Sequence, residues 1–117
     1  MASSDLRPGL KGQKQTIVCD HNVAYHVAKF STPSMVLLME QASMEGIVQH
    51  LADCETFVGF EVNVRHLAPA DIGDTIIAHA ELLEVDRNRL TFRVEAFQGD
   101  QKIGEGSHRR AVIQSPS

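Results

Sequence analysis

A single carboxylate, Glu40, interrupts the most apolar stretch of the chain, residues 35–48. If this stretch is a helix turning by about 100° per residue, the surface neighbours of Glu40 are almost all apolar. They are Val36, Ser43, Met44 and Ile47. Because a buried acid costs several kcal/mol unless it is paired or used, Glu40 is the first candidate for a residue that does chemistry.

His66 is the second candidate, because it follows an alternating run of apolar residues in residues 56–66. One predicted strand face carries Val58, Phe60, Val62, Val64 and His66. The other face carries Gly59, Glu61, Asn63 and Arg65. His66 is therefore expected to face the helix that carries Glu40, where a neutral imidazole can accept or donate a proton near neutral pH. The alternative is a core histidine satisfied by a backbone carbonyl.

Thr32 is the third candidate, although capping alone would explain a threonine just before Pro33. If the helix runs unbroken from Pro33, Thr32 and Glu40 lie about 12 Å apart along its axis. The two side chains could then act together only across a bound substrate, a break in the first turn or a subunit boundary.

The other polar residues have weaker signals. The remaining histidines show no paired spacing for a metal, so no metal site is predicted. They are His21, His26, His50, His79 and His108. His79 is expected on the solvent-exposed face of its strand. Arg109 and Arg110 could meet an anionic group or could simply be solvated charges.

The elements that must position these residues follow from the periodicity. A loose segment over residues 1–14 precedes a short strand at 15–19, and a helix capped by Thr32 runs over 33–51, with Gly46 allowing close packing. Strands follow at 56–66, 75–85, 90–96 and 102–113. The inward residues of the second and third of these are predicted to be Ile76, Ala78, Ala80, Leu82, Leu90, Phe92, Val94 and Ala96. Gly104 and Gly106 indicate a bulge or a close backbone approach in the last strand.

One long helix and an antiparallel sheet with a single apolar face predict an α+β fold in which the sheet curves around the helix. At least one strand edge stays unpaired in such a layer. Pairing two sheets edge to edge is the usual remedy, so the sequence favours a homodimer or a dimer of dimers.

Composition limits the remaining possibilities. The 117 residues predict one domain, and the net charge of −4 without a basic face argues against nucleic-acid binding. No stretch approaches the roughly 20 apolar residues of a membrane span, and no secretory signal is visible. Cys19 and Cys54 lack a metal-ligand spacing, so a reducing cytoplasm is the expected compartment.

Several motifs, taken in order, resemble the fluoroacetyl-CoA thioesterase type of hotdog-fold protein over about residues 10–113. The motifs are FSTPSM at 30–35, LME at 38–40, VG at 58–59, VRHLAPA at 64–70, GD at 73–74 and IGEGSHRRAVI at 103–113. The resemblance implies a hotdog fold, a dimer and hydrolysis of an acyl-CoA thioester. No cofactor is implied, since coenzyme A belongs to the substrate.

The resemblance also implies site residues. The catalytic Thr, Glu and His of that family fall on Thr32, Glu40 and His66, and a glycine near the thioester falls on Gly59. Glu40 would either attack the thioester carbonyl or activate water. Phe30 and Tyr25 are the expected aromatic contacts with the substrate. In the fluoroacetyl-specific enzyme that the chain resembles, phenylalanines before the Thr-Pro motif gate the pocket, whereas residues 23–27 of this chain hold a single aromatic ring of that kind, Tyr25. A short or medium acyl group is therefore expected as substrate, rather than selectivity for a fluorinated one.

Two other functions fit the same fold. A non-catalytic hotdog protein could bind acyl-CoA as a sensor or scaffold, although an acyl-binding pocket would be more stable without a carboxylate at position 40. A hotdog hydratase acting on enoyl-CoA usually pairs a His with an Asp on a short helix, and the chain has no obvious match.

Overall fold

The computed structural model describes residues 5–115. In chain order, the elements are β1 (Lys11–Ile17), α1 (Thr32–Ile47), β2 (Glu55–His66), β3 (Thr75–Asp86), β4 (Arg89–Gln98) and β5 (Gln101–Gln114). A short 3-10 turn, Val48–His50, follows α1 directly. The five strands form one antiparallel sheet in the order β1-β3-β4-β5-β2. The predicted α+β architecture is confirmed.

The hydrophobic core lies between α1 and the inward face of the sheet. All eight inward residues predicted for β3 and β4 are buried there, because both strands are paired on both sides and covered by the helix. From α1, the buried apolar side chains are Met35, Leu38, Met39, Ala42 and Ile47. None of the helices in the described part of the chain is long and apolar enough to cross a membrane.

The start of α1 differs from the prediction by one residue. Ser31 is the N-cap, and its hydroxyl accepts a hydrogen bond of 3.2 Å from the backbone N–H of Ser34. Thr32 is the first residue of the helix, so its predicted capping role was wrong. Since Ser31 provides the cap, the Thr32 hydroxyl is available for another partner.

The N-terminal strand begins earlier than expected. β1 starts at Lys11, and Leu6 is buried, so the expected loose segment is shorter than residues 1–14; residues 1–4 of that segment lie outside the described range. Gly12 of β1 packs directly on Gly46 of α1, where a Cβ on either glycine would press against backbone atoms of the other element. The prediction that Gly46 allows close packing is confirmed.

Gly104 and Gly106 also mark close approaches, as predicted. A Cβ on Gly104 would collide with the Met35 side chain of α1, and one on Gly106 would collide with the backbone of Asn63 and Val64 in β2. The two glycines therefore let β5 lie close both to the helix and to its neighbouring strand.

The predicted inward face of β2 was wrong in its first half. The register between β2 and β5 shifts between Gly59 and Glu61, which is a bulge centred on Phe60. The Phe60 ring lies instead under the guanidinium groups of Arg89 and Arg109, 5.4 and 5.1 Å from its centroid, on the outer face of the sheet. An extra residue resets the alternation, so Val58 and Phe60 point outward.

Beyond the bulge, Val62 pairs with the buried His108, and Val64 and His66 follow on the inward face as predicted. Before it, Gly59 pairs with the buried Arg110 and faces α1. The bulge therefore moves Gly59 to the face opposite to the one predicted for it.

Candidate active site

The first half of the site joins the start of α1 to the end of β2. The Thr32 hydroxyl oxygen lies 2.9 Å from Nδ1 of His66, and the direction of this hydrogen bond depends on the imidazole tautomer. Nε2 of His66 is buried and has no hydrogen-bond partner among residues 5–115. Desolvation lowers the pKa of His66 below its ordinary value of 6.5, and the backbone of Ala68 partly offsets this effect. His66 is therefore neutral at pH 7 and can accept a proton.

A cavity of about 350 Å³ opens beside Thr32 and His66. Phe30 lines it, together with Ala24, Val27, Lys29, Ser31, Leu67, Ala68 and Pro69. The structure therefore brings Phe30 to the predicted site. Tyr25 is fully exposed and does not line this cavity; its ring contacts that of His26, at 5.2 Å between centroids.

Glu40 is less buried than the sequence predicts, with 34% of its side chain exposed. The reason is the direction in which α1 presents its apolar residues. Met35, Leu38 and Met39 face the core, whereas Leu37 and Met44 are exposed on the same side as Glu40. The apolar stretch thus has two apolar faces, and Glu40 lies on the one that the single chain leaves open.

The second half of the site is a contact between Glu40, His108 and Gly59. Nε2 of His108 lies 4.0 Å from Oε2 of Glu40. A Cβ on Gly59 would lie 2.8 Å from Cε1 of His108 and 3.3 Å from Oε2 of Glu40, so only glycine fits at this position. The bare backbone of Gly59 is therefore exposed to whatever approaches the Glu40 carboxylate.

Arg110 fixes the backbone of α1 at Glu40. Its Nε donates to the Ser43 hydroxyl (2.9 Å) and its Nη2 donates to the Glu40 carbonyl (3.1 Å), while its guanidinium lies 4.8 Å from the Phe57 ring centroid. Burial lowers the pKa of Arg110, and the Glu40 carboxylate opposes that shift. Of the two arginines left open by the sequence, Arg110 is buried, whereas Arg109 lies 3.6 Å from the Glu61 carboxylate near the surface.

The two halves are separate within one chain. Among the described residues, no hydrogen bond or ion pair joins Glu40 to Thr32 or His66. Because α1 is continuous over Thr32–Ile47, a break in its first turn is excluded. A bound substrate or a subunit boundary remains as the way to bring them together.

Sequence reasoning missed His108 and the location of Arg110. Both alternate with the apolar Val112 in β5, and this alternation predicts that all three share the inward face. Within residues 5–115, no group of three or more His, Cys, Asp or Glu side chains could hold a metal ion.

An antiparallel sheet curled around one helix matches the architecture of solved thioesterase structures. A structure of a thioesterase superfamily member from Thermus thermophilus superposes with a TM-score of 0.87 at 26% identity, covering 92% of this chain and 84% of that one. Residues 7–116 match the family of fluoroacetyl-CoA-specific thioesterases, and the chain belongs to that family.

Individual members of the family agree with this assignment. The fluoroacetyl-CoA thioesterase of Streptantibioticus cattleyicolor is 40% identical over 84 residues, which are 72% of this chain and 60% of the relative. The match thus spans about 60% of that relative's length. A solved structure of a fluoroacetyl-CoA thioesterase mutant in complex with acetyl-CoA superposes with a TM-score of 0.88 at 32% identity, covering 93% of this chain and 90% of that one.

The predicted hotdog fold and the resemblance to fluoroacetyl-CoA thioesterases are therefore confirmed. The expected class of enzyme, a thioester hydrolase, is the class to which this family belongs.

Proposed function

We propose that this protein hydrolyses the thioester of a short or medium acyl-CoA, with Glu40, His66 and Thr32 as catalytic residues. One observation carries the proposal: the Glu40 carboxylate lies against the bare backbone of Gly59, where a thioester carbonyl can approach both. The bound acetyl-CoA in a structure 32% identical to this chain supports the substrate class.

In the proposed hydrolysis, a water molecule and the side chains of the site carry out the reaction, and coenzyme A is part of the substrate. Glu40 either attacks the carbonyl carbon, giving an anhydride that water resolves, or takes a proton from an attacking water. In both forms the carbon–sulfur bond breaks, the water supplies the new oxygen of the product acid, and one proton of that water ends on the departing thiolate. Neutral His66 moves that proton, and the Thr32 hydroxyl orients the imidazole or donates to the developing oxyanion.

We propose Gly59 and Phe30 as residues that contact the bound substrate, and Tyr25 as a more distant one. Gly59 gives the thioester access to the backbone, and Phe30 contacts the acyl group or the adjoining thiol arm from the cavity beside His66. Tyr25 would reach the substrate only after a movement of its loop. Because residues 23–27 provide only Tyr25 toward an aromatic gate, we assign this protein no selectivity for a fluorinated acyl group.

We further propose that the active enzyme is a homodimer, or a dimer of such dimers, formed along β2. β2 is an edge strand, and Val62 is 41% exposed although it faces inward. Leu37 and Met44 of α1 are also exposed. Antiparallel pairing of two β2 strands would cover this surface and remove the free edge. It would also allow Glu40 of one subunit to act with Thr32 and His66 of the other.

The reducing cytoplasm stays the proposed compartment. Cys19 and Cys54 are both free thiols in the structure, and Cys54 is exposed, which fits a compartment that keeps thiols reduced.

The test is release of free thiol from a panel of acyl-CoAs, acetyl through dodecanoyl, by the native protein and by Glu40→Gln. We expect a loss of at least about 100-fold in kcat/KM for Glu40→Gln. Glu45→Gln is the matched control, because Glu45 is an exposed carboxylate on the same helix and outside the site.

Native turnover that survives in Glu40→Gln would remove Glu40 from the mechanism. If the native protein binds acyl-CoA but hydrolyses none of the thioesters, the hydrolase proposal is wrong and the protein is an acyl-CoA-binding protein.

A further inference from the structure

His108 is a buried imidazole that the mechanism above does not use. It is 1% exposed, and its Nδ1 lies 3.0 Å from the carbonyl oxygen of Glu61. A carbonyl oxygen can only accept, so Nδ1 carries the hydrogen and donates it. In the neutral ring, the lone pair is therefore on Nε2.

The ring of His108 is held in one orientation. The Glu61 carbonyl of β2 fixes one edge, and the Phe92 ring of β4 stacks at 6.4 Å between centroids with an interplanar angle of 28°. Nε2 then points toward Glu40 and has no hydrogen-bond partner among residues 5–115. A buried nitrogen aimed at a carboxylate and left without a donor needs an explanation.

The geometry around Nε2 supplies one. Oε2 of Glu40 and Nε2 of His108 both accept hydrogen bonds, so they cannot bond to each other directly. At 4.0 Å apart, they can both accept from a single water through hydrogen bonds of about 2.8 Å. A Cβ on Gly59 would lie 3.3 Å from each of these two atoms, so the glycine keeps this space open.

We propose that His108 is a further catalytic residue, which holds the attacking water together with Glu40 at Gly59. This inference rests on the proposed thioesterase function and selects the water-activation form of it. The water oxygen bonds to the thioester carbonyl carbon while Glu40 takes one of its protons. The other hydrogen stays on the water oxygen, hydrogen-bonded to Nε2 of His108, and becomes the hydroxyl hydrogen of the product acid. The carbon–sulfur bond breaks, and the thiolate takes the proton that Glu40 received, either directly or relayed through His66.

The charges around His108 keep its lone pair free at neutral pH. Burial, opposed by the Glu61 carbonyl, lowers the pKa of His108; Arg110 on the same strand lowers it further and Glu40 on α1 raises it. The nearest groups from β2 and β4, Gly59, the Glu61 carbonyl and Phe92, do not titrate. Protonation of Nε2 in acid would remove the acceptor and release the water.

The test uses two substitutions that separate structure from chemistry. His108→Asn can keep the donor to the Glu61 carbonyl but lacks an acceptor at the position of Nε2, whereas His108→Gln can place an amide oxygen there. We expect kcat to fall at least about 10-fold in His108→Asn with little change in KM, and to recover in part in His108→Gln. The acid limb of the pH–rate profile should become less steep in His108→Asn. His79→Asn, at an exposed histidine of β3, is the matched control.

A second measurement does not depend on turnover or on a folded His108 variant. The pKa of His108, followed by NMR in the native protein and in Glu40→Gln, should fall when the neighbouring charge is removed. An unchanged pKa, or native kcat and pH profile in His108→Asn, would overturn the role of His108 and leave the thioesterase function standing. Loss of the thioesterase function itself would show instead as a native protein that hydrolyses no acyl-CoA.

Discussion

β3 and β2 have similar alternating apolar sequences, but the structure treats them differently. In β3, the inward residues from Ile76 to Leu82 are all buried, because the strand is paired on both sides and covered by α1. In β2, a bulge reverses the alternation at Phe60, and even the inward Val62 stays exposed. Alternation therefore predicts the buried face only where the ladder is regular and the strand is interior.

The strand that carries the site is the edge strand β2, which has a bulge in its middle. The bulge turns Gly59 toward Glu40 and His108, and the end of the same strand brings His66 to Thr32. Departures from the local rule in β2 thus coincide with the residues proposed to do chemistry. Residues Ile76 to Leu82 of β3, which precede the register shift between Leu82 and Glu84, follow the rule and contribute to the core.

The largest expected effect tests the interior strand. Leu82→Ala should lower the free energy of unfolding by about 2–5 kcal/mol, because it leaves a cavity in the core. Leu83→Ala, the same change one residue later at a side chain that is 45% exposed, should cost within about 0.5 kcal/mol. Urea denaturation of both variants measures the difference, and equal losses would contradict the contrast between the two faces of β3.

A second pair of substitutions compares an interior strand with β2. Val94→Ala, in β4, should cost roughly 1–3 kcal/mol at every protein concentration, since Val94 is fully buried within the chain. Val62→Ala should cost less at low concentration, and its cost should grow with concentration if β2 pairs with a second copy. Thermal unfolding over a 100-fold range of concentration gives both quantities. A concentration-independent cost for Val62→Ala would argue against the β2 dimer.

The smallest expected effect is a pH dependence of the free energy of unfolding, caused by His66 at the end of β2 and by His108 of β5, which pairs with β2. His66 and His108 have pKa values lowered by burial, so below about pH 6.5 the unfolded chain binds more protons than the folded one. The free energy of unfolding should therefore fall as the pH falls from 7.5 to 5.5. His108→Asn should flatten this dependence, whereas His79→Asn in β3 should not. If the free energy of unfolding depends on pH equally in His108→Asn and His79→Asn, then groups other than His108 cause the dependence.

The regular parts of the fold were predictable because their signals are local. The period of residues 35–48 predicted α1, and alternation predicted the buried faces of β3 and β4. The cap was misplaced because Ser31 and Thr32 are adjacent and both can cap, so only the backbone at Ser31 distinguishes them. The exposure of Glu40 was misjudged because the apolar stretch of α1 serves two surfaces.

By itself, the sequence determined the elements, the curved α+β layer, the family and the three candidate residues Thr32, Glu40 and His66. Only the tertiary structure decided which side chains meet. Thr32 contacts His66, 34 residues away, and Glu40 faces His108 across a glycine turned inward by a bulge. The physical reason is range. Helix and strand periods are written in neighbouring residues, whereas a bulge and a contact between distant segments depend on how β2 pairs with β5 and on how both pack against α1.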